Sequence, residues 1–116
     1  MTKLTYNEID EYSLSGHPNV YFKDDDVNVV PYDIDIAITD YLEKLHGDEC
    51  DSNGSEIEAF FDDDGEGSIF ITVYDREFED GTLYNEVDFM LCGGLEKMNG
   101  HVVFRIDTVE EVQENL

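Results

Sequence analysis

Basic side chains are scarce in this chain. Lys and Arg number 6 against 30 Asp and Glu, which gives a formal net charge of -24. Proteins neutralise the phosphates of nucleic acids with Lys and Arg, so the composition excludes nucleic acid as a direct ligand. Anionic lipid headgroups would repel the same surface, which excludes a membrane partner. The partners that remain are cations and strongly basic protein surfaces.

Cysteine is also scarce, and long apolar runs are missing. Cys50 and Cys92 stand in no spacing typical of a metal or redox site. The opening residues, MTKLTYNEID, lack the apolar core of a signal peptide, and no run approaches the roughly 20 apolar residues that cross a bilayer. These absences predict reduced thiols and a cytoplasmic location, which is the host cytoplasm if a phage encodes the chain.

Alanine occurs only as Ala37 and Ala59, whereas Ile, Asn and Tyr are frequent. Adaptation to high salt also yields acid-rich, lysine-poor surfaces, but we do not expect this combination in most halophilic proteins. Hydrophobic residues make up 41% of the chain and aromatics 12%, which is too much for a disordered acidic tail. The 116 residues are therefore expected to fold as one acidic globular domain, residues 1–116.

Two segments carry helical signals. Thr5 and Glu8 have the spacing of a capping box, which predicts a helix that ends near Leu14. Residues 33–46, preceded by Pro31 and followed by a glycine, predict a longer helix. At 100° per residue, the apolar residues of this second helix share one face: Ile34, Ile38, Tyr41, Leu42 and Leu45.

The other side of the second helix is predicted to be acidic, because Asp33, Asp40 and Glu43 point away from the apolar face. Ile36 projects among these carboxylates. It is either a packing contact beneath residues 24–30, which the usual burial of isoleucine favours, or an exposed apolar anchor ringed by negative charge.

Strand signals fill the second half of the chain, over residues 56–61, 68–77, 85–91 and 101–107. Apolar residues alternate so that one side of these strands is suited to cover by helices. That side carries Ile57, Ala59, Phe61, Ile69, Ile71, Val73, Val87, Phe89, Leu91, Val102, Phe104 and Ile106. The opposite side carries Glu56, Glu58, Phe70, Thr72, Tyr74, Glu86, Asp88 and Arg105.

The remaining segments complete the predicted fold. Residues 19–31 predict a loop with one short strand, residues 48–55 predict a second loop, and Thr108 to Glu111 repeats a capping-box spacing that predicts a short C-terminal helix. The expected fold class is α+β, a single domain in which an antiparallel meander of about four strands is packed by two or three helices.

The turn between the first two predicted strands is an acidic tip made of Asp62, Asp63, Asp64 and Glu66 with two glycines. Its first positions resemble an EF-hand loop, but Val73 stands where the bidentate glutamate belongs and the flanks are strands. A true EF-hand is therefore not predicted, while a weak divalent-cation site on the turn stays open.

No enzyme class has its required residues here. Carboxylate pairs are abundant, but acid–base catalysis needs two of them in a concave site that separates their pKa values. The histidines His17, His46 and His101 are widely spaced, and neither cysteine lies in a nucleophile motif. The sequence predicts a protein that is not an enzyme and that needs no cofactor or metal.

In size, charge and its acidic tracts DDDV, DIDIAITDYLE and EIEAFFDDDGEG, the chain resembles the DNA-mimic inhibitors. These are small acidic proteins, many from phages and mobile elements, that block restriction enzymes, CRISPR effectors, uracil-DNA glycosylase or other DNA-binding proteins. The resemblance implies an anti-restriction, anti-CRISPR or DNA-repair-enzyme inhibitor that occupies a basic DNA- or RNA-binding groove with its carboxylates.

The sequence therefore predicts a stoichiometric inhibitor of a basic nucleic-acid-binding protein, with monomer and dimer both open. The predicted partner-binding residues are Asp24, Asp25, Asp26, Asp33, Ile36, Asp40, Glu43, Glu56, Glu58, Asp62, Asp63, Asp64 and Glu66. Apolar anchors are included because electrostatics sets the association rate more than the specificity. The alternatives are an immunity protein that neutralises a basic nuclease toxin and a weak divalent-cation-binding module.

Overall fold

The computed structural model describes residues 4–14, 18–25, 30–47 and 55–112. In chain order their elements are α1 (Tyr6–Ser13), β1 (Asn19–Phe22), β2 (Tyr32–Asp33), α2 (Ile34–His46), β3 (Ser55–Phe61), β4 (Glu66–Val73), β5 (Arg76–Glu77), β6 (Leu83–Tyr84), β7 (Val87–Met98) and β8 (His101–Val112). Asp26, Gly16, Cys50 and most of the predicted loop 48–55 lie outside the described residues.

Six strands form one sheet in the order β2-β1-β8-β7-β4-β3. The strands β3, β4, β7 and β8 make the predicted antiparallel meander, which confirms an α+β fold at this level. The predicted size of the sheet is wrong, because β1 adds to β8 in parallel and β2 pairs with β1. Parallel pairing joins segments far apart in the chain, so no local pattern marks it.

The two last strands of the sheet are longer than predicted. The predicted C-terminal helix is wrong, because Thr108 and Val109 continue β8 and pair with Cys92 and Leu91. Capping-box spacing is a weak local signal, whereas β-branched residues beside an open strand gain ladder hydrogen bonds and packing. Asn99 and the glycine that follows it, both at positive φ, form the two-residue turn between β7 and β8.

The predicted strand 68–77 is divided in two. β4 ends at Val73, and Asp75 turns the chain with a φ of 50°. The next residues form β5, which pairs with β6 in a separate two-stranded sheet. The hairpin of β5 and β6 (residues 76–84) therefore leaves the main sheet.

The capping box of α1 and the glycine that ends α2 confirm two predicted helix ends, whereas Asp33, predicted as the first residue of the second helix, is its N-cap. The Thr5 hydroxyl accepts from the Glu8 backbone N–H at 3.2 Å, and the Glu8 carboxylate accepts from the Thr5 N–H at 2.9 Å. Asp33 caps α2 at its start, and Gly47 ends it in the left-handed conformation with φ 67°. Across the described ranges, no helix combines the length and apolar character needed to span a bilayer.

Both helices pack on one face of the sheet. Tyr12 of α1 contacts Phe61 at a ring distance of 5.8 Å, and Tyr41 of α2 contacts Phe89 at 6.5 Å. The predicted apolar side of the strands forms the core with them, and its members are buried or partly buried. Leu45 contradicts the prediction, because it is 59% exposed.

His46, the neighbour of Leu45, makes the contacts at the end of α2. Its Nδ1 lies 2.8 Å from Asp80 Oδ2, and its Nε2 lies 2.7 Å from the Tyr84 hydroxyl. Its ring stacks on Phe78 with centroids 4.4 Å apart. The hairpin of β5 and β6 is thereby fastened to α2, a role that the helix-terminus position of His46 did not reveal.

The Asp80 contacts predict an acid sensitivity of this hairpin. Hydrogen bonds from Thr82, and after them the bond with His46, lower the pKa of Asp80 to about 2. A carboxylate whose pKa is lowered by folding adds stability at a pH above its pKa in the unfolded chain, about 4, and this added stability is lost as the pH falls towards the pKa of the folded state. As the pH falls between these two pKa values, the free energy of unfolding should therefore decrease less for Asp80→Asn than for the wild type. Urea unfolding at each pH measures this difference.

Asp63→Asn, an exposed aspartate on the other hairpin, is the matched control and should follow the wild-type curve. Parallel curves for Asp80→Asn and the wild type would show that Asp80 does not contribute to the acid sensitivity.

Candidate functional site

The face of the sheet opposite the helices is open, and its side chains lie in rows across the strands. Strand register places Glu58, Phe70, Met90 and Glu110 side by side on β3, β4, β7 and β8. Neighbouring strands are about 4.8 Å apart, so the row is about 14 Å long. Its two ends are exposed carboxylates and its centre is apolar and half-buried.

Two further rows flank this one. They are Glu56, Thr72, Asp88 and Val112 on one side, and Phe60, Ser68, Cys92 and Thr108 on the other. We call these three rows the open face. Phe60 is 58% exposed and packs edge-to-face with Phe70, with ring centroids 5.8 Å apart and planes at 78°. An apolar centre ringed by polar groups is the usual arrangement of a protein interface.

Carboxylates crowd one end of the open face. The Thr72 hydroxyl donates a hydrogen bond to Asp88. Partial burial raises the pKa of Tyr74, and the nearby carboxylates of Glu56, Glu86 and Asp88 add to this shift. The Tyr74 hydroxyl therefore lies in a negative field that disfavours its ionisation.

An ion-pair network lies at the other end. Arg105 donates from Nε to Asp107 at 2.7 Å and from Nη1 to Glu96 at 3.0 Å, and Tyr21 also donates to Glu96. Burial, followed by the bond to Glu96, raises the pKa of Tyr21 to about 12. The Arg105 guanidinium holds the pKa of Asp107 below its usual range. Arg105 is thus engaged by carboxylates of its own chain.

The predicted partner-binding residues fall in three places. Glu56 and Glu58 lie on the open face, and both are exposed. The residues of α2 lie on the helical side: Asp33 caps the helix, Ile36 is 54% exposed, and Asp40 and Glu43 are half-buried. The favoured interpretation of Ile36 as a packed residue is therefore wrong, and its role as an exposed anchor stays a prediction.

Asp25 belongs with the predicted residues on the helical side of the sheet. Its carboxylate accepts from the Phe22 backbone N–H at 2.8 Å and from the Tyr32 hydroxyl at 3.3 Å. Burial, then Asp25 and Asp40, raise the pKa of Tyr32 to about 12. Asp24 is exposed beside this group.

The acidic tip is the third place. Asp62 Oδ1 accepts from the backbone N–H of Asp64 at 2.9 Å and of Glu66 at 3.1 Å, so this carboxylate stabilises the turn. Asp63 and Asp64 are exposed. Glu66 reaches towards the open face, where its carboxylate lies 4.0 Å from Arg105 Nη2. In the described parts of the chain, no group of three or more acidic, His or Cys side chains is placed to hold a metal ion.

Sequence reasoning missed four residues of this surface: Phe60, Met90, Glu96 and Glu110. Alternation along β3 places Phe60 with Glu56 and Glu58, and alternation along β7 places Met90 with Asp88, so the signal was present. Glu110 could not be placed, because the register shift opposite Cys92 and Gly93 decides which side it takes.

Comparison with known proteins adds no family to this description. The chain matches no protein-family model, and no curated protein or solved structure matches it at a significant level.

Proposed function

We propose that the protein is a stoichiometric inhibitor that imitates nucleic acid and occupies the basic groove of a nucleic-acid-binding protein. A restriction enzyme, a CRISPR effector or a DNA-repair enzyme is the class of target that its charge suits. The observation that supports this most is the imbalance of the described surface, where carboxylates greatly outnumber the cations that are free to neutralise them.

The described cations are mostly engaged within the chain. Arg76 is fully buried, Arg105 is held by Glu96 and Asp107, and Lys97 Nζ lies 2.7 Å from Glu8. Lys23 and Lys44 are exposed. The acidic tip, the open face and the outer side of α2 consequently display net negative charge in three directions.

The fold fixes these charges at short intervals. Alternate residues of a strand, such as Glu56 and Glu58, stand about 6.6 Å apart, and the sheet keeps that spacing without further ordering on binding. A basic groove built for phosphates would meet carboxylates already in place. Such a surface is steered to its partner quickly at low salt and more slowly as salt screens the charges.

Capturing proteins from a cell lysate and releasing them with oligonucleotide tests the proposal. The immobilised protein should retain nucleic-acid-binding proteins from a cell lysate at low salt, and added oligonucleotide should release them in a concentration-dependent way. Asp63→Lys with Asp64→Lys should weaken retention and its salt dependence together, while Asp62 is left to hold the turn. Asp63→Asn with Asp64→Asn is the milder control.

Two outcomes would count against nucleic-acid mimicry. If the retained proteins do not bind nucleic acid, or if oligonucleotide fails to release them at low salt, the proposal is wrong. Retention of a single nuclease that oligonucleotide does not release would favour the immunity-protein alternative instead. Unchanged retention by the lysine variant would remove the acidic tip from the interface.

A further inference from the structure

We propose that the open face is the docking surface and that it imitates single-stranded rather than duplex nucleic acid. This inference rests on the proposed function and specifies it further. The partner is then a protein whose basic groove carries aromatic side chains on which unpaired bases stack.

Duplex and single strand offer different surfaces to a protein. A duplex keeps the faces of its bases within the stack and presents phosphates and the base edges in its grooves. A single strand also exposes base faces, and proteins that bind it combine a basic groove with aromatic stacking platforms. A duplex mimic needs carboxylates, whereas a single-strand mimic also needs flat apolar rings among them.

The open face has such a ring. Phe60 is 58% exposed although it is a large aromatic residue. Its contact with Phe70 is nearly perpendicular, at 78°, so that Phe70 can cover at most one face of the Phe60 ring. With 58% of the residue exposed, Phe60 offers a partner accessible aromatic surface for stacking.

Carboxylates lie on the same face as this ring, one close to it and one across the sheet. Glu58 lies two residues before Phe60 on the same face of β3, about 6.6 Å along the strand. Glu110 ends the neighbouring row on β8, three strands and about 14 Å across the sheet from β3. The apolar centre continues from Phe60 through Phe70 to Met90, which gives a partner a continuous surface to desolvate.

The charge of the open face also identifies the kind of occupant. A second copy docked on the same face would bring the carboxylates of Glu56, Glu58 and Glu110 towards carboxylates of the other copy, and like charges repel at close range. The nearby cation, Arg105, is already bonded to Glu96 and Asp107. A basic partner removes this repulsion, and its aromatic side chains fit the apolar centre.

Two peptides of equal charge test the inference directly. The probes are Lys-Trp-Lys-Trp-Lys and Lys-Ala-Lys-Ala-Lys, each titrated into the intact protein by calorimetry at low salt. The tryptophan peptide should bind at least about fivefold more tightly, since stacking adds to charge attraction. The chain contains 0 Trp, so the tryptophan fluorescence of the peptide also reports its burial without a tryptophan signal from the protein.

Two variants then show whether the tryptophan peptide binds on the open face. Phe60→Leu keeps an apolar side chain but removes the flat ring, and it should abolish most of the preference for the tryptophan peptide. Leu83→Ala is the matched control, because Leu83 is equally exposed at 58% but lies on β6. Circular dichroism of each variant establishes that it is folded.

The outcomes separate this inference from the proposed function. Equal affinities for the two peptides, or an unchanged preference in Phe60→Leu, would overturn docking on the open face and leave a mimic that acts by charge alone. Failure of both peptides to bind at low salt would count against the proposed function itself. In the capture experiment, release by single-stranded oligonucleotide at lower concentration than duplex is expected, and the reverse order would overturn the inference.

Discussion

Replacing Gly93 with alanine should lower the free energy of unfolding by at least about 3 kcal/mol, the upper part of the range for overpacking. A Cβ atom at this position would lie 1.7 Å from the carbonyl oxygen of Arg105. The obstacle is backbone, so no side-chain rotation relieves it. β7 and β8 would have to separate where their register shifts, between Cys92 and Gly93.

Gly94→Ala is the matched control for this prediction. A Cβ at Gly94 would meet the carboxylate of Glu66 at 3.0 Å, and that side chain is flexible and 61% exposed. It can move away, so we expect a loss below about 1 kcal/mol. Thermal unfolding distinguishes the two variants, because 3 kcal/mol corresponds to roughly 10 °C or more in a chain of this size. Similar melting temperatures would show that the strands tolerate a side chain at Gly93.

Replacing Arg76 with methionine should cost about 3 kcal/mol, the lower end of the range for breaking a buried charge pair. Arg76 lies on β5 and is 0% exposed, and its Nη1 donates to the Thr39 hydroxyl on α2 at 2.7 Å. Its Nη2 lies 4.0 Å from Asp35 Oδ1, a buried oxygen that accepts no hydrogen bond from the described part of the chain. Methionine would leave that carboxylate without the cation beside it.

The chain supplies its own control in Arg105, its other arginine. The Arg105 side chain is 26% exposed and its ion pairs face solvent on the open side of the sheet, so Arg105→Met should cost about 1 kcal/mol or less. Chemical denaturation of both variants gives the comparison. Asp35→Asn should recover part of the loss when combined with Arg76→Met, and no recovery would mean that packing rather than charge explains the cost.

Gly93 and Arg76 stabilise different parts of the fold around the open face. Gly93 lets β7 and β8 approach where the rows of the open face meet the Arg105 network. Arg76 and His46 fasten the hairpin of β5 and β6 to α2, on the helical side. A variant that weakens partner binding through either position would do so by unfolding, so binding by variants should be compared at equal folded fraction.

Much of the local structure could be predicted. The capping box of Thr5 and Glu8 and the glycine after α2 placed the helices correctly, because caps satisfy backbone groups within a few residues. The alternation of apolar and polar residues along β4, β7 and β8 correctly predicted which side chains face the core and which lie on the opposite side of the sheet. The exposed carboxylates of Glu56 and Glu58 followed from the same alternation.

The contacts between distant segments could not be predicted. The parallel pairing of β1 with β8, the contact of Arg76 with α2 and the position of Glu110 depend on partners far along the chain. The capping-box spacing at Thr108 predicted a helix, but pairing with β7 prevailed, because an adjacent strand satisfies more backbone groups than one local cap.

The sequence by itself determined that the protein is acidic, that it has an apolar core, and which strand residues share a side, because composition and alternation are local properties. Only the tertiary structure decided that the helices cover one side and leave Phe60, Phe70 and Met90 beside carboxylates on the other. Which face remains open depends on where α1 and α2 gain the most buried area, and that is a property of the assembled core.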